Sequence, residues 1–338
     1  MNHATPLSVV ILAAGKGTRM KSGKAKVLHE VFYSPMVHHV IWSVLPLEPT
    51  RIAVIIGHQK EAVQQSLKSF DVEFVVQKEQ LGTGHAVLTA ERAIEQGSGT
   101  VMILCGDTPL LQSATLQEMY NAHHASGADL TLMTTTLDNP TNYGRILTAN
   151  DGSLRGIVEQ KDASKEELAI CEINAGIYCV ERDFLFSALK QVGTNNSQGE
   201  VYLTDIVSIA VEQGKSAQKY ITPHSMDVLG VNSRLELSLA HSELQKRRNE
   251  ELMFCGITMH NPETISVSSG VTLGKDCLLK SGVSIGGISM LGENCIVGNG
   301  SVIEDCNIGD NVEIGPYCVL KGLTIPENSV LPPHQTTF

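Results

Sequence analysis

A period of six residues runs through the C-terminal part of the chain and restricts its fold more than any other feature. Aliphatic residues recur at every sixth position: Val267, Leu273, Leu279, Ile285, Leu291 and Val297. Small or β-branched residues stand four places after each of them, and glycine often follows the aliphatic residue. This period is typical of a short left-handed parallel β-helix, in which each hexapeptide forms one side of a triangular coil. We expect the repeat to fade near Leu320, since Pro326, Pro332 and Pro333 interrupt it.

The preceding residues, from 7 to about 230, alternate short apolar runs with helical patterns. The runs are rich in valine and isoleucine: Leu7–Leu12, Ile52–Ile56, Val72–Val76 and Val101–Leu104. Such runs suit a sheet that is covered on both faces. Between the first two runs, Ser34 is placed to cap a helix with Pro35 in its first turn. The alternation predicts a Rossmann-like α/β domain with a mainly parallel sheet and a ligand cleft at the carboxyl ends of its strands.

A polar helical segment from Ser233 to Met253 separates the two regions, and Gly256 marks its end. Helices this polar often connect domains. We therefore divide the chain into a domain of residues 1–231, a connecting helix of residues 232–254 and a β-helix of residues 255–338.

The composition excludes several classes of protein. A formal net charge of -11 and the lack of a long basic run argue against nucleic acid as a partner. No apolar stretch reaches the roughly 18 residues that cross a bilayer, so we expect no membrane partner. The eight cysteines form no C-x-x-C pair. We expect them to be reduced, in a cytoplasmic protein.

A glycine loop, L-A-A-G-K-G-T-R-M from Leu12 to Met20, directly follows the first predicted strand. Glycines let backbone N–H groups approach phosphate oxygens, and Arg19 and Lys26 bring positive charge. The spacing fits neither a Walker A loop nor a dinucleotide G-x-G-x-x-G motif. Simple strand-to-helix turns also use glycine, but the position and the two cations favour a phosphate-binding loop.

Together with K-V-L-H at 26–29, this loop resembles the sugar nucleotidyltransferases. The resemblance continues through Gln77, Q-L-G-T-G-H-A (80–86), G-D-T-P-L (106–110), Y-G-R-I (143–146), V-E-Q-K-D-A (158–163), E-I-N-A-G (172–176), G-E-V-Y-L-T-D (199–205) and G-V-N (230–232). More specifically, these segments are similar to the N-terminal half of the bifunctional bacterial N-acetylglucosamine-1-phosphate uridyltransferase/glucosamine-1-phosphate acetyltransferases. Each segment alone is common, whereas all of them in this order are specific.

The resemblance implies a role for each matching residue. The nucleotide-binding residues would be Leu12, Ala13, Gly15, Gln77, Gly82 and Thr83. Gly144, Glu159 and Asn174 would bind the sugar. Asp107 and Asn232 would hold Mg²⁺, which suits two oxygen ligands completed by phosphate oxygens and water. Arg19 and Lys26 would be catalytic, because they stabilise charge on the phosphates.

The implied reaction transfers uridylyl from UTP to N-acetylglucosamine-1-phosphate and releases pyrophosphate. The attacking phosphate oxygen is already ionised, so no general base is required. Catalysis then depends on positioning and on charge neutralisation.

Four departures from the family pattern bear on the function. Cys105 stands where the family commonly has tyrosine, Ala25 where it commonly has proline, and Ala175 lies in the asparagine motif of the sugar site. These leave the preferred sugar, and uridine against thymidine, open. The repeat is also shorter than in the bifunctional enzymes. We therefore expect no acetyltransferase activity, and a β-helix that assembles the chain as a homotrimer.

Other interpretations remain possible at this point. Taken singly, Asp107 could be a turn residue, Asn232 a helix cap and Glu159 a surface charge, and the pairs at 38–39 and 123–124 are ordinary helix histidines. Among enzymes, the alternatives are a thymidylyl- or guanylyltransferase for another hexose-1-phosphate and a hexapeptide acyltransferase. An alternative of another class is an inactive regulatory protein that binds nucleotide sugars. The joint presence of Arg19 and Lys26 with the Mg²⁺ candidates argues against it.

Overall fold

The computed structural model of the protein describes residues 6–94 and 99–337. They belong to two compact units. The first unit contains the segment that ends at His29 together with Ser34–Glu236, and the second contains Glu30–Tyr33 together with the segment that begins at Leu237. The division at residues 231 and 254 stays a prediction.

The elements up to residue 254 alternate largely as expected. The strands are β1 (Leu7–Ala13), β2 (Glu30–Val31), β3 (Ser34–Pro35), β4 (Arg51–Ile56), β5 (Glu73–Val76), β6 (Thr100–Cys105), β7 (Leu130–Thr136), β8 (Arg145–Thr148), β9 (Leu154–Val158), β10 (Glu172–Glu181) and β11 (Ala217–Ile221). The helices are α1 (Met36–Val44), α2 (Lys60–Ser66), α3 (Thr83–Thr89), α4 (Ser113–Ser126), α5 (Lys165–Leu168), α6 (Arg182–Leu189), α7 (Asp205–Glu212) and α8 (Arg234–Phe254).

Nine of these strands form one sheet with the order β11-β7-β10-β6-β1-β4-β5, and β8 and β9 form a hairpin beside β10. The strands from β6 to β5 are parallel to one another, as are β7 and β11, whereas β10 is antiparallel to both of its neighbours. The predicted mainly parallel sheet is confirmed. The strand order reverses at β1, so a crevice is expected beyond the carboxyl ends of β1 and β6.

The central strands are apolar on both faces because helices cover both sides of the sheet. Val9, Val10 and Ile11 of β1 have no exposed surface. One core cluster joins the sheet to residues of α3, α6 and α7, and the other joins it to α1, α2 and α4. Helix α1 begins at Met36 with Pro35 at its N-cap and no side-chain cap, so the predicted Ser34 cap is wrong. The Met36 N–H donates instead to the His29 carbonyl at 3.0 Å.

After α8, short strands replace helices. They are β12 (Thr258–Met259), β13 (Ser266–Val267), β14 (Thr272–Leu273), β15 (Leu278–Leu279), β16 (Ser284–Gly286), β17 (Met290–Leu291), β18 (Ile296–Val297), β19 (Val302–Glu304), β20 (Asn307–Ile308), β21 (Glu313–Ile314), β22 (Val319–Lys321), β23 (Thr324–Ile325), β24 (Val330–Leu331) and β25 (Thr336–Thr337). They pair in parallel as three sheets of five, five and four strands. This is the predicted left-handed parallel β-helix of hexapeptide repeats.

The length of the coil changes once along the β-helix. Ser284 pairs with Val302, 18 residues later, whereas Val302 pairs with Val319, 17 residues later. The lost residue falls in the turn between β19 and β20. The repeat also continues through β23, β24 and β25, so the prediction that it fades near Leu320 is wrong. The prolines at 326, 332 and 333 directly follow strands, at corners where no ladder N–H is required.

The corners of the coils repeat the same backbone conformation. Asn294, Asn311 and Asn328 occupy one column with φ values of 57°, 54° and 60°. Their side chains form a ladder, in which Asn294 Nδ2 donates to Asn311 Oδ1 at 3.3 Å and Asn311 Nδ2 donates to Asn328 Oδ1 at 3.1 Å. Asparagine tolerates the left-handed region better than most residues, which explains its use at these turns.

All eight cysteines are free thiols. Four of them are buried within the β-helix, and Cys277 and Cys295 donate to the carbonyls of Gly292 and Gly309, each at 3.1 Å. In residues 6–94 and 99–337, no helix combines the length and the apolar character needed to cross a membrane.

Candidate active site

A cavity of about 400 Å³ lies at the carboxyl ends of β1 and β6. All ten residues predicted to bind nucleotide, phosphate or metal line it: Leu12, Ala13, Gly15, Arg19, Lys26, Gln77, Gly82, Thr83, Asp107 and Asn232. The structure thus brings together residues that are more than 200 positions apart in sequence.

The glycine loop requires glycine at one position in particular. Gly17 has a φ of 60°, and a Cβ at this position would lie 2.5 Å from the Cβ of Lys26. Any larger residue would therefore push the Lys26 segment away from the loop. The absence of a side chain at Gly17 brings the two predicted cation-bearing segments together.

Two cations and two oxygen ligands meet at one end of the cavity. The Lys26 ammonium contacts an Asp107 carboxylate oxygen and donates to Asn232 Oδ1 at 2.6 Å. Arg19 NH2 donates to the same Asn232 oxygen at 2.7 Å. The Val231 N–H donates to the Asp107 carbonyl at 2.8 Å, which holds the two oxygen-bearing segments side by side.

This arrangement tests whether the residues fit Mg²⁺. The oxygens of Asp107 and Asn232 both face one ammonium group, so a cation at that point receives two hard oxygen ligands. Mg²⁺ is commonly held by one or two carboxylates plus substrate phosphates. Over the described ranges, no group of three or more His, Cys, Asp or Glu side chains is arranged to hold a metal. The donor set therefore fits Mg²⁺ shared with a nucleotide.

Asn232 is not the residue whose side chain caps α8. The Glu236 N–H donates to Ser233 Oγ at 3.2 Å, so Ser233 satisfies the start of the helix. The Asn232 N–H donates to a Glu236 carboxylate oxygen at 2.7 Å. The Asn232 side-chain oxygen is thereby left to face the two cations.

Opposite these charges, a turn closes the nucleotide side of the cavity. Gln77 is only 5% exposed, and its Nε2 donates to the Gly82 carbonyl at 3.3 Å. Gly82 has a φ of 110°, and a Cβ there would lie 2.5 Å from the Val201 carbonyl oxygen. The Leu203 N–H donates to Thr83 Oγ1 at 3.1 Å, which ties the turn to the same segment.

The three predicted sugar-binding residues lie together, but outside the set that lines the 400 Å³ cavity. The Asn174 N–H donates to the Gly144 carbonyl at 2.9 Å. A Cβ at Gly144 would lie 3.7 Å from the Glu159 carboxyl carbon. Burial raises the pKa of Glu159, although the Thr204 hydroxyl donates to its carboxylate at 3.3 Å. Their binding roles stay predictions.

Cys105 borders both groups of residues. It lines the cavity, and its Sγ lies 3.7 Å from the Gly176 carbonyl oxygen. The Gly176 N–H in turn donates to Asn174 Oδ1 at 2.9 Å. Burial, and then the Asp107 carboxylate, raise the pKa of the Cys105 thiol to about 12. Cys105 is therefore a neutral, compact side chain rather than a nucleophile.

The sequence analysis gave no role to three residues of this region. Glu200 and Gln80 line the cavity, and Gln80 Nε2 donates to the Ala14 carbonyl at 2.7 Å. Tyr143 hydrogen-bonds the backbone of Gly230 beside the metal candidates, and its pKa is raised to about 12, chiefly by burial. All three belong to segments quoted for the family resemblance, which is the signal that could have found them.

A Rossmann-like sheet with a phosphate-binding loop, paired cations and an oxygen pair defines a nucleotidyltransferase. The nucleotidyl transferase family model matches residues 8–243, and the bacterial transferase hexapeptide model matches residues 288–322. The chain belongs to the nucleotidyl transferase family and is a sugar-1-phosphate nucleotidyltransferase with hexapeptide repeats, related to the bifunctional uridyltransferases named above.

Individual relatives agree with this assignment. The chain is 51% identical over 335 residues to the bifunctional protein GlmU of Desulfotalea psychrophila, and the match covers 99% of both chains. It is 43% identical to the bifunctional protein GlmU of Shouchella clausii, over 96% of this chain and 71% of that protein. For the protein of the same name from Enterococcus faecalis, the identity is also 43%, over 92% of this chain and 71% of that protein.

Proposed function

We propose that the chain transfers uridylyl from UTP to N-acetylglucosamine-1-phosphate, with Mg²⁺ and with release of pyrophosphate. The observation that carries this proposal is the meeting of Arg19 and Lys26 with the oxygens of Asp107 and Asn232 inside a nucleotide-sized cavity. An inactive binding protein has no need for this concentration of charge. The uridyltransferase relatives support the choice of UTP.

Each side chain then has a defined task. Asp107 and Asn232 would hold Mg²⁺, which neutralises negative charge on phosphate oxygens when it is bound. Arg19 and Lys26 would stabilise the additional charge that develops on the phosphates in the transition state. Gln77 would orient the base, because an amide both donates and accepts hydrogen bonds. The acceptor phosphate is ionised, so the neutral Cys105 thiol has no acid–base task.

For the acceptor, we propose that Gly144, Glu159 and Asn174 hold the sugar. The main-chain hydrogen bond from Asn174 to Gly144 fixes the relative position of two of them. Glu159 supplies a carboxylate for a sugar hydroxyl, and Gly144 keeps the space beside it open.

A panel of sugar-1-phosphates tested against UTP, dTTP, GTP and ATP is the decisive experiment, with pyrophosphate release as the readout. We expect the highest kcat/KM for UTP with N-acetylglucosamine-1-phosphate, and no turnover in EDTA until Mg²⁺ is restored. A preference for dTTP or GTP with another hexose-1-phosphate would support the alternative transferases. No turnover with any pair would support the inactive binding protein.

We also propose that these 338 residues do not transfer acetyl groups, although the relatives are named bifunctional. The inward positions of the β-helix are filled by aliphatic side chains such as Leu279, Ile285 and Ile303, each fully buried. Where the structure describes the coils, the buried polar side chains are Ser268, Ser289 and Ser301, and none is a histidine that could act as a base. An assay with glucosamine-1-phosphate and acetyl-CoA should detect no free thiol of coenzyme A. Measurable acetylation would reject this proposal.

For the β-helix we propose a role in assembly, as a homotrimer in the cytoplasm. Large apolar side chains stand on its outer faces, among them Ile288 at 80% and Val330 at 71% exposure. Light scattering should give three times the chain mass of 36.4 kDa. Truncation after Cys255 should give a monomer that still releases pyrophosphate. A monomeric full-length chain would contradict the proposal.

A further inference from the structure

We propose that Gln59 is a positioning residue that fixes the loop carrying Lys26. This inference rests on the proposed role of Lys26 in catalysis. Gln59 stands directly before α2, shortly after β4, and it is not among the residues that line the cavity. It would therefore act on the reaction only through the residues that it holds.

The side-chain amide of Gln59 uses both of its ends on one backbone segment. Its Oε1 accepts from the Ala25 N–H at 2.8 Å, and its Nε2 donates to the Gly23 carbonyl. Ala25 is 1% exposed, so its N–H would be costly to leave without a partner. The two hydrogen bonds fix the backbone immediately before Lys26.

Gln59 is itself held in a defined place. Its φ of 52° lies in the left-handed region, which a non-glycine residue adopts only at a cost. The N–H groups of Ala62 and Val63 in α2 both donate to its carbonyl, at 3.0 and 3.2 Å. The preceding residue, His58, donates its N–H to the Ala14 carbonyl at 3.2 Å. One short segment therefore contacts both the glycine loop and the Lys26 loop.

Ala25 gives this contact a particular meaning. Its φ of -54° lies within the range that a proline ring imposes. Proline at this position would restrict the loop through its ring, but it would have no N–H for Gln59 to accept. In this chain the Gln59 side chain supplies the restriction that a ring supplies elsewhere. The two devices should consequently be interchangeable.

The main test is Gln59→Gly, because it removes both hydrogen bonds and also relieves the left-handed backbone. We expect kcat to fall about five- to tenfold, the effect of roughly one hydrogen bond on positioning, with KM for UTP within about twofold. The melting temperature should not fall. Gln213→Gly is the matched control, because its exposed amide donates to Gln191 far from the loop in sequence, and it should leave kcat unchanged.

Rescue distinguishes positioning from a general loss of structure. Ala25→Pro should keep kcat within about twofold of wild type, and adding Gln59→Gly to it should cause no further loss. A kcat within twofold of wild type for Gln59→Gly alone would overturn the proposal. So would an equal loss when Gln59→Gly is introduced into the wild-type chain and into the Ala25→Pro variant.

Proteolysis gives a second readout that does not depend on the folding of Ala25→Pro. In Gln59→Gly, trypsin should cut after Lys21 and Lys24 faster than in wild type, and an unchanged rate would count against the proposal. Lys26→Ala is measured in parallel. If Lys26→Ala retains full activity, the proposed function of Lys26 fails. If it is inactive while Gln59→Gly behaves as wild type, only the role of Gln59 fails.

Discussion

The two units use the left-handed backbone conformation for different purposes. In the nucleotidyltransferase unit it occurs at single positions beside the cavity, such as Gly17 and Gly82, where a Cβ would collide with a neighbouring segment. In the β-helix it recurs in columns, and Asn294, Asn311 and Asn328 each repeat the same turn. The same conformation therefore serves a binding site when it is unique and serves the architecture when it is periodic.

The polar groups of the two units differ in the same way. Asp107, Lys26 and Asn232 form a charged cluster whose members come from three separate loops. The polar side chains of the asparagine column hydrogen-bond to identical residues one coil away. We expect substitutions in the first unit to affect rate more than stability, and those in the second to affect stability more than rate.

The largest expected effect is that of Asp107→Ala. It removes the carboxylate of the proposed Mg²⁺ site, so kcat should fall by about 10²- to 10³-fold or more, with little change in melting temperature. Pyrophosphate release at saturating Mg²⁺ measures this. Asp183→Ala is the control, since that side chain is 95% exposed and should be dispensable. A near wild-type rate would remove Asp107 from the metal site.

Arg19→Ala and Lys26→Ala should each reduce kcat by about 10²-fold, and should change substrate binding less. The reason is that their charges act mainly on the transition state. Steady-state kinetics with UTP varied separates kcat from KM, with Lys60→Ala as an exposed control. A raised KM with unchanged kcat would limit both residues to binding.

In the β-helix, Ile303→Ala should lower the free energy of unfolding of that unit by about 2–4 kcal/mol, because the side chain is fully buried inside the coil. Pyrophosphate release at low temperature should stay within about twofold of wild type. Chemical denaturation followed by circular dichroism measures the first quantity. A large loss of activity without unfolding would erase the contrast between the units.

The smallest effect is expected at the asparagine column. Asn311→Ala should destabilise the coil by about 1 kcal/mol, since alanine disfavours a φ of 54°. Asn311→Gly loses the same side-chain ladder but accepts the backbone, so it should cost less. Equal melting temperatures for the two variants would show that the ladder matters and the conformation does not.

Sequence patterns were sufficient where one residue type repeats or where a motif is contiguous. The aliphatic period predicted the β-helix, and the glycine loop with Arg19 and Lys26 predicted the phosphate side of the cavity. The end of the repeat was misjudged because prolines such as Pro326 and Pro332 were treated as interruptions. They occupy corners, where a missing N–H has no cost.

Gln59 and Ser34 illustrate why the remainder was out of reach. Gln59 bonds to backbone atoms of Gly23 and Ala25, and backbone groups leave no trace in the identity of a residue. Ser34 has the composition of a cap, but the Met36 N–H finds its acceptor at His29, several residues upstream. Both cases depend on tertiary contacts that local propensity does not contain.

The single shortened turn between β19 and β20 has an evolutionary consequence. The coil loses one residue there, yet the parallel pairs on either side keep their register, as Ile303 with Leu320 and Ile308 with Ile325 show. An insertion or deletion at a corner is thus confined to that corner. Natural variation in this half of the molecule should accumulate as gaps at the vertices of the triangle, and alignments of relatives should be gap-free along its sides.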